Sequence, residues 1–143
     1  YLYSYTDKIG TLGGLSVKKK IRIIAMLSLI IVIGLLLLST GGKTTSVMIT
    51  DYSISRDSDV MTLKVGVASS MGYIRKLKAS EDGNKKLITF YSTYGLNSNI
   101  GAKNEFQVKL HPSCDEIYFY SGNGEYKLKL QKSSETNEWE IAK

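Results

Sequence analysis

Residues 61 to 67, Met-Thr-Leu-Lys-Val-Gly-Val, alternate apolar side chains with polar or small ones. Successive side chains of a β-strand point to opposite faces of a sheet, so this period of two predicts a strand with one buried and one solvated face. The stretch therefore indicates that the chain around it is a β domain.

Seven further stretches have the alternation or composition of strands, and they cover residues 47–54, 73–79, 87–94, 106–110, 117–120, 126–130 and 139–141. Turn-forming residues separate them, and Gly122-Asn123-Gly124 is the strongest hairpin signal because glycine and asparagine tolerate positive φ. Short strands at this spacing are typical of a sandwich or barrel. We predict an all-β, immunoglobulin-like antiparallel sandwich over residues 47–143, although the cysteine pair of immunoglobulin domains is missing.

Residues 23–42 carry no charge and directly follow Lys18, Lys19, Lys20 and Arg22. A helix of this length spans about 30 Å, the hydrocarbon thickness of a bilayer. We expect a transmembrane helix or signal anchor over 23–42, in contact with lipid. Cationic flanks stay on the cytoplasmic side, so these four residues predict a cytoplasmic tail over 1–22 and an extracytoplasmic C-terminal domain after a linker at 43–46.

Two questions about this segment stay open. Ser39-Thr40-Gly41 offers small residues for signal cleavage before Gly42, which would release a secreted β module, whereas the long apolar run 23–38 favours a retained anchor. The chain starts at Tyr1, and Val17 could be a natural start read from a GTG codon, with Leu12-Gly13-Gly14 spelling a ribosome-binding site. If Val17 is the start, residues 1–16 are not translated in nature. If it is not, they form a short cytoplasmic tail.

The net charge of +6 is concentrated near the N-terminus. Residues 1–43 contain six basic residues and one acid, whereas residues 44–143 contain 13 basic and 12 acidic residues. Nucleic-acid binding relies on clustered Lys and Arg that displace counterions, and a nearly neutral domain lacks them. We therefore expect no nucleic-acid partner.

The sequence predicts no catalytic, cofactor or metal site. His111 and Cys114 are the only histidine and cysteine, too few for the usual zinc sites, and Asp51, Asp57 and Asp59 lack the other ligands of a calcium loop. One cysteine also precludes an intrachain disulfide, which favours a bacterial surface over a eukaryotic exported domain. A hydrolytic enzyme built from carboxylates distant in sequence stays as an alternative.

Tyrosine is the one compositional signal in the domain, with seven of the ten tyrosines beyond residue 44. If Phe119 points inward, alternation sends Tyr118 and Tyr120 outward, where exposed rings supply rigid contact area. These two residues are a candidate binding face for an envelope protein or polysaccharide, and the alternative is that the rings only cover the sheet. We predict a membrane-anchored envelope protein with a binding or structural role.

The chain from residue 17 to 143 resembles a group of small single-span membrane proteins of Gram-positive, largely anaerobic bacteria. The residues that carry the resemblance are Met61-Thr62-Leu63-Lys64-Val65-Gly66-Val67-Ala68-Ser69-Ser70-Met71-Gly72-Tyr73, the run from Leu87 to Ser98, Gly101-Ala102-Lys103-Asn104-Glu105-Phe106, Glu116-Ile117-Tyr118-Phe119-Tyr120, and the run from Leu128 to Trp139. The resemblance implies a basic start, one span and an extracytoplasmic β domain. It implies no particular activity and no functional residues.

Overall fold

The structure is a computed structural model that describes residues 16–57, 59–69 and 72–142 of the chain. The chain divides into two compact units, one ending at Leu36 and the other running Leu37–Lys143. Residues 1–15 lie outside the described part, and so does most of the segment upstream of the possible start at Val17.

One α-helix, α1, runs Val17–Ser39. It begins directly after Ser16, whose carbonyl accepts hydrogen bonds from the backbone nitrogens of Lys19 at 2.7 Å and Lys20 at 3.1 Å. The 22 residues Val17–Leu38 include an 18-residue stretch with a mean hydropathy of 2.9, and none of that stretch is buried. The helix is long and apolar enough to cross a membrane, and a signal sequence has the same character.

The helix differs from the predicted span at both ends, because it begins six residues earlier and stops three residues sooner. Lysine and arginine are good helix formers, so the basic flank continues the helix even though its charges limit what can enter lipid. At the other end the Thr40 hydroxyl donates to the Leu37 carbonyl at 2.7 Å. Gly41 then adopts φ +79°, the left-handed conformation that commonly ends helices.

Nine strands follow: β1 Lys43–Thr44, β2 Val47–Ile54, β3 Val60–Val67, β4 Ile74–Asp82, β5 Lys85–Ser92, β6 Glu105–Lys109, β7 Glu116–Gly122, β8 Glu125–Lys132 and β9 Trp139–Ile141. Each of the eight predicted strands overlaps one of β2 to β9, so the β-rich character of the domain is confirmed. The strand β1 was not predicted and lies within the expected linker 43–46.

The larger sheet, sheet A, contains β1, β4, β5, β7, β8 and β9. β4 pairs antiparallel along the whole of β5, while β7 and β1 share the other edge of β5. The β5–β7 pair is parallel, so the prediction of a wholly antiparallel domain is wrong for this pair. The chain leaves sheet A after β5, forms β6 in the second sheet and returns as β7, which gives the long crossover that a parallel pair requires.

The smaller sheet, sheet B, has the antiparallel order β2-β3-β6. Both sheets contribute side chains to one hydrophobic core, whose largest fully buried members include Phe90, Phe119 and Met61. Phe90 of sheet A packs edge to face against Phe119 at 4.8 Å and against Phe106 of sheet B at 5.8 Å between ring centroids. Because such edge-to-face contacts join both sheets, the core is shared between them.

Strands β2 to β9 alternate in direction, so the connections between them gather at two ends of the domain. We call one end the linker end, formed by segments 40–46, 68–69, 72–73, 93–104 and 123–124. The other is the distal end, formed by residues 55–57 and 59 and by segments 83–84, 110–115 and 133–138. At the linker end, Asn123 with φ +52° and Gly124 with φ +81° make the predicted hairpin between β7 and β8.

Candidate functional site

The outer face of sheet A, on the side opposite the core, carries four tyrosines. Strand alternation around the buried Phe119 turns Tyr118 and Tyr120 outward, as the sequence predicts. Tyr126 lies directly opposite Tyr120 on β8, and Tyr91 lies on the same face of β5. All four side chains are half-buried. We call Tyr91, Tyr118, Tyr120 and Tyr126 the tyrosine face.

Two of these rings are fixed by direct contacts. Tyr120 and Tyr126 pack edge to face with their centroids 5.6 Å apart and their planes at 72°. The Tyr126 hydroxyl also shares a 3.0 Å hydrogen bond with the Thr89 hydroxyl, and Thr89 is buried beneath it in β5. A ring held by a neighbouring ring and a hydrogen bond loses little entropy when it binds a partner.

Three lysine ammonium groups stand over rings of the tyrosine face. The Nζ of Lys43 lies 4.9 Å from the Tyr120 ring centroid, that of Lys76 lies 4.9 Å from Tyr91, and that of Lys85 lies 5.4 Å from Tyr118. These distances are within the range of cation–π attraction. Positive charges from β1, β4 and β5 therefore lie among the aromatic rings of β5 and β7 on this face.

Tyr118 donates a hydrogen bond from its hydroxyl to Glu116 Oε2 at 3.1 Å. The pKa of Tyr118 is raised, first because contact with the surrounding protein disfavours the phenolate and second because Glu116 accepts its proton in a hydrogen bond. Lys85 also lies 3.9 Å from Glu116. Tyr118 therefore stays protonated and donates to Glu116. The ion pair between Lys85 and Glu116 keeps the ammonium group of Lys85 beside the Tyr118 ring.

Acidic residues share this face only toward the distal end, where Asp82, Glu116 and Glu140 lie on its strands. Lys43, Lys76 and Lys78 lie on the half of the face nearer the linker end. The charge on the tyrosine face is therefore divided, and its linker half is positive.

The outer face of sheet B has a different composition. It carries no aromatic side chain among the described residues, and its positions are Met48, Asp51, Ser53, Val60, Thr62, Lys64, Gly66, Glu105, Gln107 and Lys109. Lys64 is paired with Asp51 at 3.3 Å. Because both faces belong to one domain, the concentration of tyrosine on sheet A is not a general property of its exposed strands.

The other tyrosines of the domain lie apart from this face. The Tyr52 hydroxyl donates to the Trp139 carbonyl across the two sheets, while Tyr73 and Tyr94 are exposed at the linker end. The sequence pattern identified Tyr118 and Tyr120 but missed Tyr91 and Tyr126. Only the strand pairing shows that these four residues share one surface.

The other sequence candidates are not brought together. His111 Nδ1 lies 2.8 Å from the Ser113 hydroxyl, while Cys114 is buried with its Sγ directed to the Glu116 carbonyl. Burial also raises the pKa of the Cys114 thiol. Asp51 lies in β2, whereas Asp57 and Asp59 lie in the distal turn that follows. Within the described ranges, no group of three or more His, Cys, Asp or Glu residues is arranged to hold a metal ion.

The basic residues Lys18, Lys19, Lys20 and Arg22 lie in the first two turns of α1, and their side chains are exposed. Comparison with known proteins found no matching family model, no matching curated protein and no matching solved structure.

Proposed function

We propose that the protein is a bacterial envelope protein that binds an anionic polysaccharide through the tyrosine face. In this proposal α1 anchors the chain in the cell membrane, and the C-terminal domain is an extracytoplasmic immunoglobulin-like sandwich. The observation that carries the proposal is the set of four tyrosines on one sheet face with lysine ammonium groups over three of the rings.

The anchor is supported by the length and hydropathy of α1 and by the position of its charges. Val17–Leu38 is apolar enough to span, and Lys18, Lys19, Lys20 and Arg22 lie at its N-terminal end. Positive charge is retained in the cytoplasm, which orients the β domain outward. In this proposal the chain shares the topology of the single-span proteins of Gram-positive anaerobic bacteria that its sequence resembles.

The sandwich architecture is supported by two sheets that share one core. The mixed pairing of β5 with β7 and the position of Trp139 in the last strand depart from a standard immunoglobulin domain. We therefore propose an immunoglobulin-like domain only in the sense of two layered sheets. The cysteine pair of immunoglobulin domains, and the residues that pack on it, have no counterpart in this proposal.

An anionic polysaccharide suits the chemistry of this surface. Tyrosine rings offer flat apolar area and a hydroxyl, which match the apolar faces and hydroxyl groups of sugar rings. The lysines beside them provide charge for carboxylate or phosphate groups on the polymer, and electrostatic complementarity sets specificity and association rate. A row of rings along one sheet face also suits an extended polymer better than a small ligand, which needs a concave site.

Secretion after cleavage before Gly42 is the alternative. Against it, the residues around that bond are held by the β domain: the Gly42 carbonyl accepts a hydrogen bond from the Ser92 nitrogen at 2.9 Å, and the Thr40 hydroxyl accepts one from the Gly95 nitrogen at 2.6 Å. A protease that acts after the domain has folded would first have to break these bonds. No arrangement of side chains in the described residues favours the hydrolytic-enzyme alternative.

The proposal is tested by measuring binding of the full chain, in lipid nanodiscs, to the anionic polysaccharide fraction of Gram-positive cell walls. We expect Tyr120→Thr to weaken binding about tenfold or more, because it removes one ring of a packed pair. The control is Tyr73→Thr, a tyrosine exposed outside the face, which should leave affinity unchanged. Equal affinities for the two variants, or equal binding of neutral dextran, would contradict the proposal.

A further inference from the structure

The linker end exposes large apolar side chains that the domain does not cover. Leu96 is 93% exposed and Ile100 is 81% exposed, both in the segment 93–104. Tyr94 in the same segment is 50% exposed, and Tyr73 in the adjacent loop is 41% exposed. Large apolar side chains that stay this exposed on neighbouring loops are typical of a surface that contacts a protein or a membrane.

The segment that carries Leu96 and Ile100, together with the end of β5 before it, is hydrogen-bonded to the residues that directly follow α1. The Gly95 nitrogen donates to the Thr40 hydroxyl at 2.6 Å, and the Ser92 nitrogen donates to the Gly42 carbonyl at 2.9 Å. The Tyr94 ring packs so closely on Gly41 that a Cβ there would lie 2.6 Å from it. All of these residues belong to the compact unit Leu37–Lys143.

Chain length then limits how far this loop can lie from a membrane that holds α1. Leu38 is the last residue of the apolar span, and Thr40 follows two residues later. Two residues reach at most about 7 Å, which is comparable to the thickness of one headgroup layer. A loop hydrogen-bonded to Thr40 is therefore held at the headgroup level of such a membrane.

The charges of the two ends of the domain also favour a linker end that faces the membrane. The linker-end segments contain Lys43 and Lys103 and no acidic residue. The distal-end segments contain one basic residue, Arg56, and the acids Asp57, Asp59, Asp115, Glu135 and Glu138. A basic end is attracted to anionic lipid headgroups and an acidic end is repelled.

We propose that the loop 93–104 docks on the outer surface of the bilayer, with Leu96 and Ile100 inserted at the boundary between headgroups and acyl chains. Lys103 then lies near lipid phosphates, and Tyr73 and Tyr94 occupy the interfacial level that aromatic residues favour. Docking fixes the linker end at the membrane and directs the distal end away from it. The inference rests on the membrane anchor of the proposed function and is independent of the polysaccharide.

The test uses the full chain in vesicles of phosphatidylglycerol and phosphatidylcholine, with Leu96→Cys labelled by an environment-sensitive fluorophore. The matched control is Ser134→Cys, an exposed position at the distal end. Unsubstituted protein gives the background, because Cys114 is buried. We expect blue-shifted emission and strong quenching by nitroxide-labelled lipids at position 96, and neither at position 134.

Three outcomes would overturn the inference. Water-like emission at position 96 in protein that stays with the vesicles would contradict docking and leave the anchor intact. A blue shift at position 96 without lipid quenching would show that another protein surface, such as a second copy of the chain, covers the loop. Failure of the chain to remain with vesicles after a carbonate wash would remove the anchor, and the docking with it.

Discussion

At the scale of single residues, Lys86 is the least expected side chain in the domain. It lies on the core-facing side of β5 between the outward Lys85 and Leu87, yet it is only 6% exposed. Its Nζ contacts Glu81 Oε1 at 2.6 Å, and this hydrogen bond together with the lysine charge lowers the pKa of Glu81 from its ordinary value of 4.5. The buried ammonium group is thus balanced by a carboxylate at the end of β4.

Glu81→Gln should lower the free energy of unfolding at neutral pH, because it leaves the Lys86 charge buried beside a neutral group. A carboxylate with a lowered folded pKa stabilises above its unfolded pKa and loses this effect as pH falls through the folded value. The difference between wild type and variant should therefore shrink as pH drops below about 4.5. Urea unfolding of the full chain in detergent, followed by the fluorescence of Trp139, measures it.

Glu125→Gln is the control, since Glu125 is exposed and has no ion pair among the described residues. A destabilisation by Glu81→Gln that stays the same from about pH 7 to about pH 2 would show that the ion pair is not responsible.

Residue patterns also predicted part of the candidate site and missed the rest for a physical reason. Alternation about Phe119 predicts that Tyr118 and Tyr120 share a face, because the period of a strand is local. Tyr91 joins them only through the parallel pairing of β5 with β7, and Tyr126 only through the register of β8. Register depends on contacts between strands far apart in sequence, which no local period encodes.

At the scale of elements, strands with clear alternation or clear turns were predicted, and elements without a period were not. β3 alternates from Met61 to Val67, and the turn between β7 and β8 contains the residues that positive φ requires. β1 has two residues, too few for any period, and it exists because it pairs with Tyr91 and Phe90 of β5. The basic extension of α1 was missed because lysine and arginine are good helix formers, so the change from charged to apolar residues does not mark the start of the helix.

The junction between α1 and β1 provides a test at this scale. Gly41 has φ +79°, and a Cβ there would lie 2.6 Å from the Tyr94 ring. Gly41→Ala should lower the free energy of unfolding by about 1–3 kcal/mol, through backbone strain and displacement of the ring. The measurement is urea unfolding monitored by Trp139.

Gly42 is the matched control for this junction. It is the next residue, it is not in the left-handed region, and a Cβ there would meet nothing within 4 Å. Gly42→Ala should therefore change stability little, within about 0.5 kcal/mol. Equal effects of the two substitutions would contradict the close packing of the linker against the β5–β6 loop.

At the scale of the whole molecule, the overall charge of +6 is misleading and its distribution is informative. The excess lies in the basic residues at the start of α1, while the β domain divides its charge between a basic linker end and an acidic distal end. The sequence alone separates the first feature, because four basic residues lie within the five positions 18–22. The second requires knowledge of which loops meet at each end, and that follows from the strand order.

The central claim is that the tyrosine face, and not the opposite face of the same domain, binds an anionic polysaccharide. The most direct measurement compares two double variants with the same loss of charge. Lys76→Gln with Lys85→Gln removes two lysines that stand over Tyr91 and Tyr118. Lys64→Gln with Lys109→Gln removes two from the outer face of sheet B. One lysine in each pair has an acidic partner, Glu116 or Asp51.

Affinity of the full chain for the anionic wall polysaccharide is measured for both variants over a range of salt concentrations. Binding should weaken about tenfold or more for the sheet A variant, with a reduced dependence on salt, and should be unchanged for the sheet B variant. Equal losses for the two variants would show that binding follows net charge alone, and a loss confined to the sheet B variant would place the site on the opposite face. Either result would contradict a binding role for the tyrosine face.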